Sequence, residues 1–181
     1  MSDKIVLGYW GIRGRAQALR HLLCYVGLDF EDKLYTNPDQ YKADYMSLGD
    51  FPNLPYLFDG DFKMSETYAI ARYIARKANR EDLLGKNAGD QAVVENFIYA
   101  FNTIFAGILG LCFNKKVDTL KMGHFFKTKG EFTKIEKFLQ GKDFVIGYLT
   151  IADFFLAELF HYIQVLYPEE YKAFKGMIRI Q

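Results

Sequence analysis

Two aromatic and two basic residues near the start of the chain have types and spacing that could carry chemistry. Tyr9 and Trp10 end the first predicted strand, at the edge where an α/β sheet usually offers its ligand crevice. Arg13 and Arg15 follow at the start of the first predicted helix, so they can lower the pKa of an acidic group held beside Tyr9. The same pattern also fits packing, because a Tyr-Trp pair is more often buried against a core than catalytic.

Two later motifs could bind a ligand. Asn53-Leu54-Pro55 puts a proline at the entry of a strand, where its ring cannot join a ladder and a cis bond fits a turn. Ser65-Glu66-Thr67 opens a predicted helix, and the backbone N–H groups at such an end can receive a carboxylate. Each motif also has a structural explanation, a turn for the proline and a cap for the hydroxyl residues. Spacing alone therefore leaves the function open.

Hydrophobic spacing predicts an α/β arrangement for the first half of the chain. Leu19, Leu22, Leu23 and Val26 recur at helical spacing after a short apolar strand. A later Asp-Gly pair supplies the positive φ values that a tight hairpin turn needs. In order, the predicted elements are a strand at 4–9, a helix from 14, a strand at 30–35, a hairpin at 54–64 and a helix at 65–77.

The second half of the chain predicts helices only. Thr150 begins a capping box in which Asp153 takes the place of the usual Glu. The predicted elements are a polar linker at 80–89 and helices at about 90–113, 118–140 and 150–167.

One apolar stretch, 97–113, needs separate attention because it could enter a membrane. It is shorter than the ~20 residues that span a bilayer, and it carries two glycines. We therefore expect a helix buried on most faces, against its own core and a partner chain.

Composition excludes several classes of protein. The 181 residues are 50% hydrophobic, and 23 basic side chains balance 22 acidic ones, so we expect neither nucleic acid nor a membrane as partner. Cys24 and Cys112 are too few for a disulfide framework, and neither they nor the three histidines have metal-binding spacing. We expect Cys24 to be buried on the apolar side of its helix and Cys112 to be the more reactive thiol. No secretory signal is recognisable, which favours a cytoplasmic location.

Three segments in order resemble the cytosolic glutathione S-transferases, the mu class most closely. They are LGYWGIRG at 7–14, DFPNLPYL at 50–57, and the helix residues Ala69-Ile70 and Tyr73 to Lys77. The segment Gly14 to Gln17 is closer to the sigma and alpha classes. The second half matches more loosely, through Glu95-Asn96, Cys112 to Asn114 and the Thr150 box.

The resemblance implies a fold and a reaction. The fold is a thioredoxin-like α/β domain that binds glutathione at 1–82, followed by an all-α domain at 83–181 that lacks the last helix and tail of the family. The reaction is the addition of glutathione to small hydrophobic electrophiles in detoxification, with glutathione as co-substrate and no metal or other cofactor. Tyr9 donates a hydrogen bond to the glutathione sulfur, and the positive field of Arg15 assists.

The resemblance also assigns binding residues. The main chain of Leu54 pairs with the cysteinyl residue of glutathione, and Glu66 and Thr67 hold its γ-glutamyl end. The full glutathione set is Tyr9, Trp10, Arg15, Lys42, Tyr45, Asn53, Leu54, Pro55, Glu66 and Thr67. The electrophile set is Phe105, Leu109 and Phe113.

Departures from the mu pattern leave alternatives. The Trp and Lys that bind the glycyl carboxylate in mu enzymes are matched by Tyr41 and Tyr45, with Lys42 as a substitute, and a mu-class tyrosine that protonates epoxide products is matched by Phe113. A partner-reaching Asp is matched by Ala100, although a homodimer through the first long helix is still expected. A non-catalytic protein that binds hydrophobic ligands or has a structural role is the second reading, and an isomerase on the same scaffold stays open. A disulfide oxidoreductase is disfavoured because Cys-x-x-Cys is absent.

Overall fold

The chain divides into two units, one ending at Glu81 and the other beginning at Asp82. The computed structural model describes residues 4–45 and 47–176. The first unit contains β1 (Ile5–Trp10), α1 (Gln17–Val26), β2 (Phe30–Tyr35), α2 (Pro38–Tyr45), β3 (Tyr56–Asp59), β4 (Phe62–Ser65) and α3 (Thr67–Lys77). The second contains α4 (Ala88–Cys112), α5 (Val117–Leu139), α6 (Ile151–Leu166) and the short α7 (Pro168–Tyr171).

The four strands form one mixed sheet in the order β2-β1-β3-β4. β1 and β2 are parallel, whereas β1 with β3 and β3 with β4 are antiparallel. The parallel pair needs the crossover helix α1, and the antiparallel pair β3–β4 needs only a tight turn at Gly60, whose φ is +60°. A mixed sheet with helices, followed by a helical unit, confirms the predicted fold class.

The apolar faces of α1 and α3 explain their positions in the first unit. Leu19, Leu22 and Leu23 are fully buried on α1, as are Ile70 and Ile74 on α3. The faces predicted from spacing are therefore the faces that pack. Strand β2 lacks such a regular apolar face, and it was therefore predicted only weakly. It is an edge strand whose acidic residues are exposed and whose apolar pattern is broken.

Helix α2 was not predicted. It has almost no amphipathic pattern, and none of its described residues is fully buried. What begins it is local chemistry: the Asn37 side chain accepts hydrogen bonds from the N–H groups of Asp39 and Gln40, at 3.1 and 3.0 Å, and Pro38 occupies the first helical position. The spacing of hydrophobic residues does not reveal an Asn-Pro helix start of this kind.

The second unit confirms the three predicted helices to within a few residues. The capping box is present as well, since Asp153 accepts hydrogen bonds from the N–H and the hydroxyl of Thr150 at 2.7 and 2.9 Å. The other Asp153 oxygen accepts from the Val145 N–H at 2.7 Å, so the carboxylate also fixes the loop before α6.

Three expectations are corrected. Among the described residues, α4 is long and apolar enough to cross a membrane by length and composition, yet only 28% of its most apolar window is buried within this chain. It is thus less buried than expected. Cys24 is exposed, because at ~100° per residue it lies about 140° from Leu19, outside the apolar stripe of α1. Cys112 is half-buried, and burial raises the pKa of its thiol, which lowers its reactivity at neutral pH.

Candidate functional site

The Tyr9 side chain lies at the carboxyl end of β1 and is 6% exposed. Its hydroxyl oxygen accepts a hydrogen bond from the backbone N–H of Arg15 at 3.1 Å. Because a phenol has one hydrogen and two lone pairs, this bond leaves the O–H proton able to donate to another group. A hydroxyl that accepts from an N–H is also polarised and becomes a better donor.

Gly14 makes this arrangement possible. Its φ is +43°, a region that side-chain-bearing residues rarely adopt. A Cβ at this position would lie 2.6 Å from the Tyr9 hydroxyl oxygen and 2.7 Å from its ring carbon Cε1. The backbone therefore passes against the tyrosine ring at a distance that only glycine allows.

Arg15 also contacts Tyr9 through its backbone, while the predicted effect of its side-chain charge stays a prediction. The prediction rested on the positive charge of its side chain, whereas the hydrogen bond comes from its backbone N–H. A backbone role is independent of residue type, so no sequence signal could have identified it.

The peptide bond between Leu54 and Pro55 is cis, as predicted. Asn53 organises the approach to it, because its side-chain oxygen accepts from the Leu54 N–H at 2.9 Å and its side-chain nitrogen donates to Glu66 at 3.1 Å. The structure thus brings the Asn53 to Pro55 motif and the start of α3 together through one amide.

Glu66 precedes α3 with φ +73° and ψ 107°. This conformation costs a non-glycine residue on the order of 1–3 kcal/mol, and such outliers cluster at ligand sites. Thr67, the first residue of α3, is buried at 7% exposure. A cleft of about 390 Å³ runs beside Glu66, and it is lined by Leu48, Gly49, Asp50, Phe51, Lys63, Met64, Ser65, Glu66 and Ala69.

An aromatic row joins the end of β1 to α2. Trp10 and Tyr41 meet edge to face with ring centroids 5.7 Å apart, and Tyr41 meets Tyr45 in the same way at 5.6 Å. Burial raises the pKa of the Tyr41 hydroxyl, which therefore stays a neutral donor. Lys42 is 75% exposed and lies 3.4 Å from Asp39, so it faces solvent rather than this row.

Sequence reasoning missed a polar network behind the aromatic row. The Asp44 carboxylate accepts from the Lys33 ammonium at 2.6 Å and from the Tyr35 hydroxyl at 2.7 Å. The Tyr35 and Tyr56 hydroxyls are 2.9 Å apart and buried. The Lys33 hydrogen bond, followed by that of Tyr35, lowers the pKa of the Asp44 carboxyl. Lys33 and Tyr35 share one side of β2, but Asp44 could not be joined to them without α2.

The predicted electrophile residues lie in the second unit. Phe105, Leu109 and Phe113 are four residues apart, so they follow one face of α4 and its C-cap. The Phe105 ring meets Tyr162 of α6 edge to face at 5.3 Å, and Leu109 is buried. Phe113 is 70% exposed. In the part of the chain that the structure describes, no group of His, Cys, Asp and Glu could hold a metal ion.

Known proteins match this chain over nearly all of its length. Residues 5–76 match the family described as "Glutathione S-transferase, N-terminal domain". The glutathione S-transferase of Tyrophagus putrescentiae is 39% identical over 188 residues, which cover 98% of this chain and 83% of that protein. Glutathione S-transferase Mu 4 of Mus musculus is 32% identical over 182 residues, which cover 96% and 82%. A solved Pi-class glutathione S-transferase of Onchocerca volvulus has a TM-score of 0.85 at 26% identity and covers 99% of this chain and 86% of that one.

Proposed function

Since the chain belongs to the glutathione S-transferase family, we propose that it joins the glutathione thiolate to small hydrophobic electrophiles at the site around Tyr9. Glutathione is the co-substrate. The observation that carries the proposal is the Tyr9 hydroxyl, which is buried and accepts the Arg15 N–H, so that its proton can point to a bound sulfur. The relatives carry the transferase name, and nothing favours the non-catalytic reading.

Tyr9 activates the thiol by stabilising its anion. A free thiol has a pKa of ~8.5, so lowering it by about two units makes the thiolate the main form at neutral pH and requires under ~3 kcal/mol. A hydrogen bond to a charged group contributes about 1.5–3 kcal/mol. One donor in a buried position is therefore nearly sufficient, and the Arg15 side chain supplies the remainder through its positive charge.

Glutathione binds along the first unit, which ends at Glu81. The strained Glu66 and the start of α3 receive the γ-glutamyl end, with Thr67 on its carboxylate and Glu66 on its ammonium. The cysteinyl backbone pairs with the main chain at Leu54 beside the cis Pro55. The Asn53 side chain already accepts a hydrogen bond from the Leu54 N–H. We therefore assign the pairing with the cysteinyl backbone to the Leu54 carbonyl. Trp10 lies toward the glycyl end of glutathione, and Tyr45 and Lys42 of α2 border that end.

Replacing Thr67 by Ala is expected to weaken glutathione binding by about 1–2 kcal/mol, the value of a hydrogen bond to a carboxylate. Calorimetric titration with glutathione measures the effect. Thr67→Ser is the matched control, since it keeps the hydroxyl and loses only a methyl group, and it should bind nearly as the unchanged chain does. Equal affinity for the Ala and Ser variants would place the γ-glutamyl carboxylate elsewhere.

In the second unit, Phe105, Leu109 and Phe113 are the residues that we assign to the electrophile. Aromatic and aliphatic side chains along one helix face suit flat apolar substrates. Phe113 lacks a hydroxyl, so it offers bulk but no proton to an opening epoxide. The electrophiles we propose are therefore those that lose a good leaving group, such as aromatic chlorides.

Turnover of a chlorodinitrobenzene with glutathione tests the function as a whole. The proposal expects glutathione-dependent product formation that saturates with glutathione and stops when the thiol is replaced by S-methylglutathione. Calorimetric binding of glutathione with no product for any electrophile tested would instead favour the non-catalytic reading.

We also propose that the chain forms a cytoplasmic homodimer through α4. That helix exposes Tyr99 at 58%, and a groove of about 450 Å³ between α4 and α5 is lined mainly by Phe97, Phe101, Ile104, Ile135 and Phe138. In the first unit Phe51 is 81% exposed. Apolar surface of this extent is typical of interfaces that are covered in solution.

Sedimentation equilibrium tests the dimer. The unchanged chain should have twice the mass of its 21.0 kDa monomer, and Phe51→Ser should dissociate more readily because it removes an exposed apolar ring. A monomeric mass for the unchanged chain at assay concentrations would contradict the dimer.

A further inference from the structure

The network of Lys33, Tyr35, Asp44 and Tyr56 contains none of the residues assigned to glutathione above, although Trp10 and Leu54 pack against its tyrosines. Its acidic member, Asp44, belongs to α2, whereas the other three belong to β2 and β3. The carboxylate accepts from Lys33 at 2.6 Å and from Tyr35 at 2.7 Å, and Tyr35 continues to Tyr56 at 2.9 Å. Both tyrosines are buried in the sheet, so the hydrogen bonds of Asp44 link α2 to the sheet.

Helix α2 has little else to hold it. None of its described residues is fully buried, and it has no apolar stripe of the kind that seats α1 and α3. Most helical stability in proteins comes from such a stripe, so α2 depends on a few specific contacts instead. They include the Asp44 network and the edge-to-face contacts of Tyr41 with Trp10 and Tyr35. The Gln40 side chain also accepts hydrogen bonds from the N–H and the hydroxyl of Thr36, at 2.9 and 3.1 Å.

Tyr41 lies one helical turn from Asp44, and its ring meets that of Trp10. Trp10, Tyr41 and Leu54 all pack around the same buried cluster of Leu48 and two tyrosines. With the γ-glutamyl end at α3 and the cysteinyl residue at Leu54, the glycyl end extends toward Trp10 and Tyr41. The Trp10 indole N–H and the Tyr41 hydroxyl are the neutral donors there.

We propose that Asp44 is a positioning residue for glutathione, which fastens α2 to β2 so that Tyr41 stands beside Trp10 at the glycyl end of the tripeptide. This inference rests on the proposed function. The Lys33 ammonium is engaged by Asp44 and Lys42 lies 3.4 Å from Asp39, so the groups that Asp44 positions are the neutral donors of Trp10 and Tyr41. Asp44 itself need not touch the substrate.

A comparison of glutathione with γ-glutamylcysteine, which lacks the glycine, tests this role. In Asp44→Ala the KM for glutathione should rise about fivefold with kcat unchanged, while the constants for γ-glutamylcysteine stay near those of the unchanged chain. The preference for glutathione over the truncated thiol should therefore largely disappear. Asp44→Asn keeps an oxygen acceptor, so its preference for glutathione over γ-glutamylcysteine should decrease less than that of Asp44→Ala.

The matched control is Asp59→Ala. Asp59 also accepts from a tyrosine and a lysine, Tyr73 at 2.5 Å and Lys77 at 2.6 Å, but it lies at the far end of β3 from Tyr56. This variant loses a carboxylate that accepts from the same two kinds of donor, and it should keep the preference for glutathione. Thermal unfolding of all variants measures the shared loss of stability.

Four results would overturn the inference. An Asp44→Ala chain that loses activity equally with both thiols would show a general structural role, and one with an unaltered preference would show no role at the glycyl end. Loss of the preference in Asp59→Ala would show that any weakened network has this effect. An unchanged chain that conjugates neither thiol would refute the proposed function, and with it this inference.

Discussion

Replacing Tyr9 by Phe lowers the rate of glutathione conjugation by on the order of ten- to a thousandfold and leaves glutathione affinity almost unchanged. The ring keeps its place because its packing and the passage of Gly14 beside it do not need the hydroxyl. What is lost is the buried hydroxyl that we propose as the donor to the thiolate. The loss should therefore fall on kcat and on the apparent pH dependence rather than on binding.

Steady-state rates with a chlorodinitrobenzene, with glutathione affinity from calorimetry, measure this effect. Tyr25→Phe is the matched control, since it removes a phenol from the same unit and keeps the ring under the Arg80 guanidinium at 5.4 Å. A Tyr9→Phe chain as fast as the Tyr25→Phe chain would exclude Tyr9 as the activating group.

Replacing Gly14 by Ala is expected to reduce kcat by about tenfold or more through Tyr9, because the new methyl group would occupy the place of the hydroxyl. The added Cβ would lie 2.6 Å from the Tyr9 oxygen, so the ring or the backbone must shift, and we expect this to disturb the bond from the Arg15 N–H. A misplacement of this size removes a hydrogen bond aimed at the sulfur. Glutathione affinity should fall much less, since most of its binding groups lie elsewhere in the first unit.

Gly27→Ala separates the steric effect from the backbone cost. Gly27 also has a left-handed φ of +71°, but a Cβ there would meet nothing within 4 Å. Both variants should lose roughly 1 kcal/mol of stability or somewhat more, because alanine is strained at positive φ. Only Gly14→Ala should lose activity, and similar activity in the two variants would show that Tyr9 tolerates displacement.

Hydrophobic spacing predicted the two helices that cover the sheet and the three long helices of the second unit, because each has apolar residues at helical spacing. Strand β2 was predicted only weakly because its apolar pattern is broken, and the hairpin was predicted from its Asp-Gly turn. Hydrophobic spacing could not predict α2, whose stability comes from an Asn-Pro start, an aromatic contact and the Asp44 network. Cys24 shows the limit of loose pattern reading, since its helical angle already placed it away from the stripe.

The candidate site was only partly readable from sequence for a related reason. Tyr9, Pro55 and Glu66 could be predicted from their residue types. What positions them is largely the backbone, through the Arg15 N–H and the positive φ angles of Gly14 and Glu66. Backbone conformation depends on tertiary contacts, which no spacing rule contains. Asn53, which links two motifs with one amide, became informative only once both of its hydrogen bonds were seen.

The central claim, that Tyr9 stabilises the glutathione thiolate, is tested most directly by the pKa of the bound thiol. The ultraviolet absorbance of the thiolate, titrated in saturated complexes of the unchanged chain and of Tyr9→Phe, reports that pKa without any electrophile. The account predicts a value about two units below the ~8.5 of a free thiol in the unchanged chain and a return toward it in Tyr9→Phe. The same thiol pKa in both complexes would contradict it.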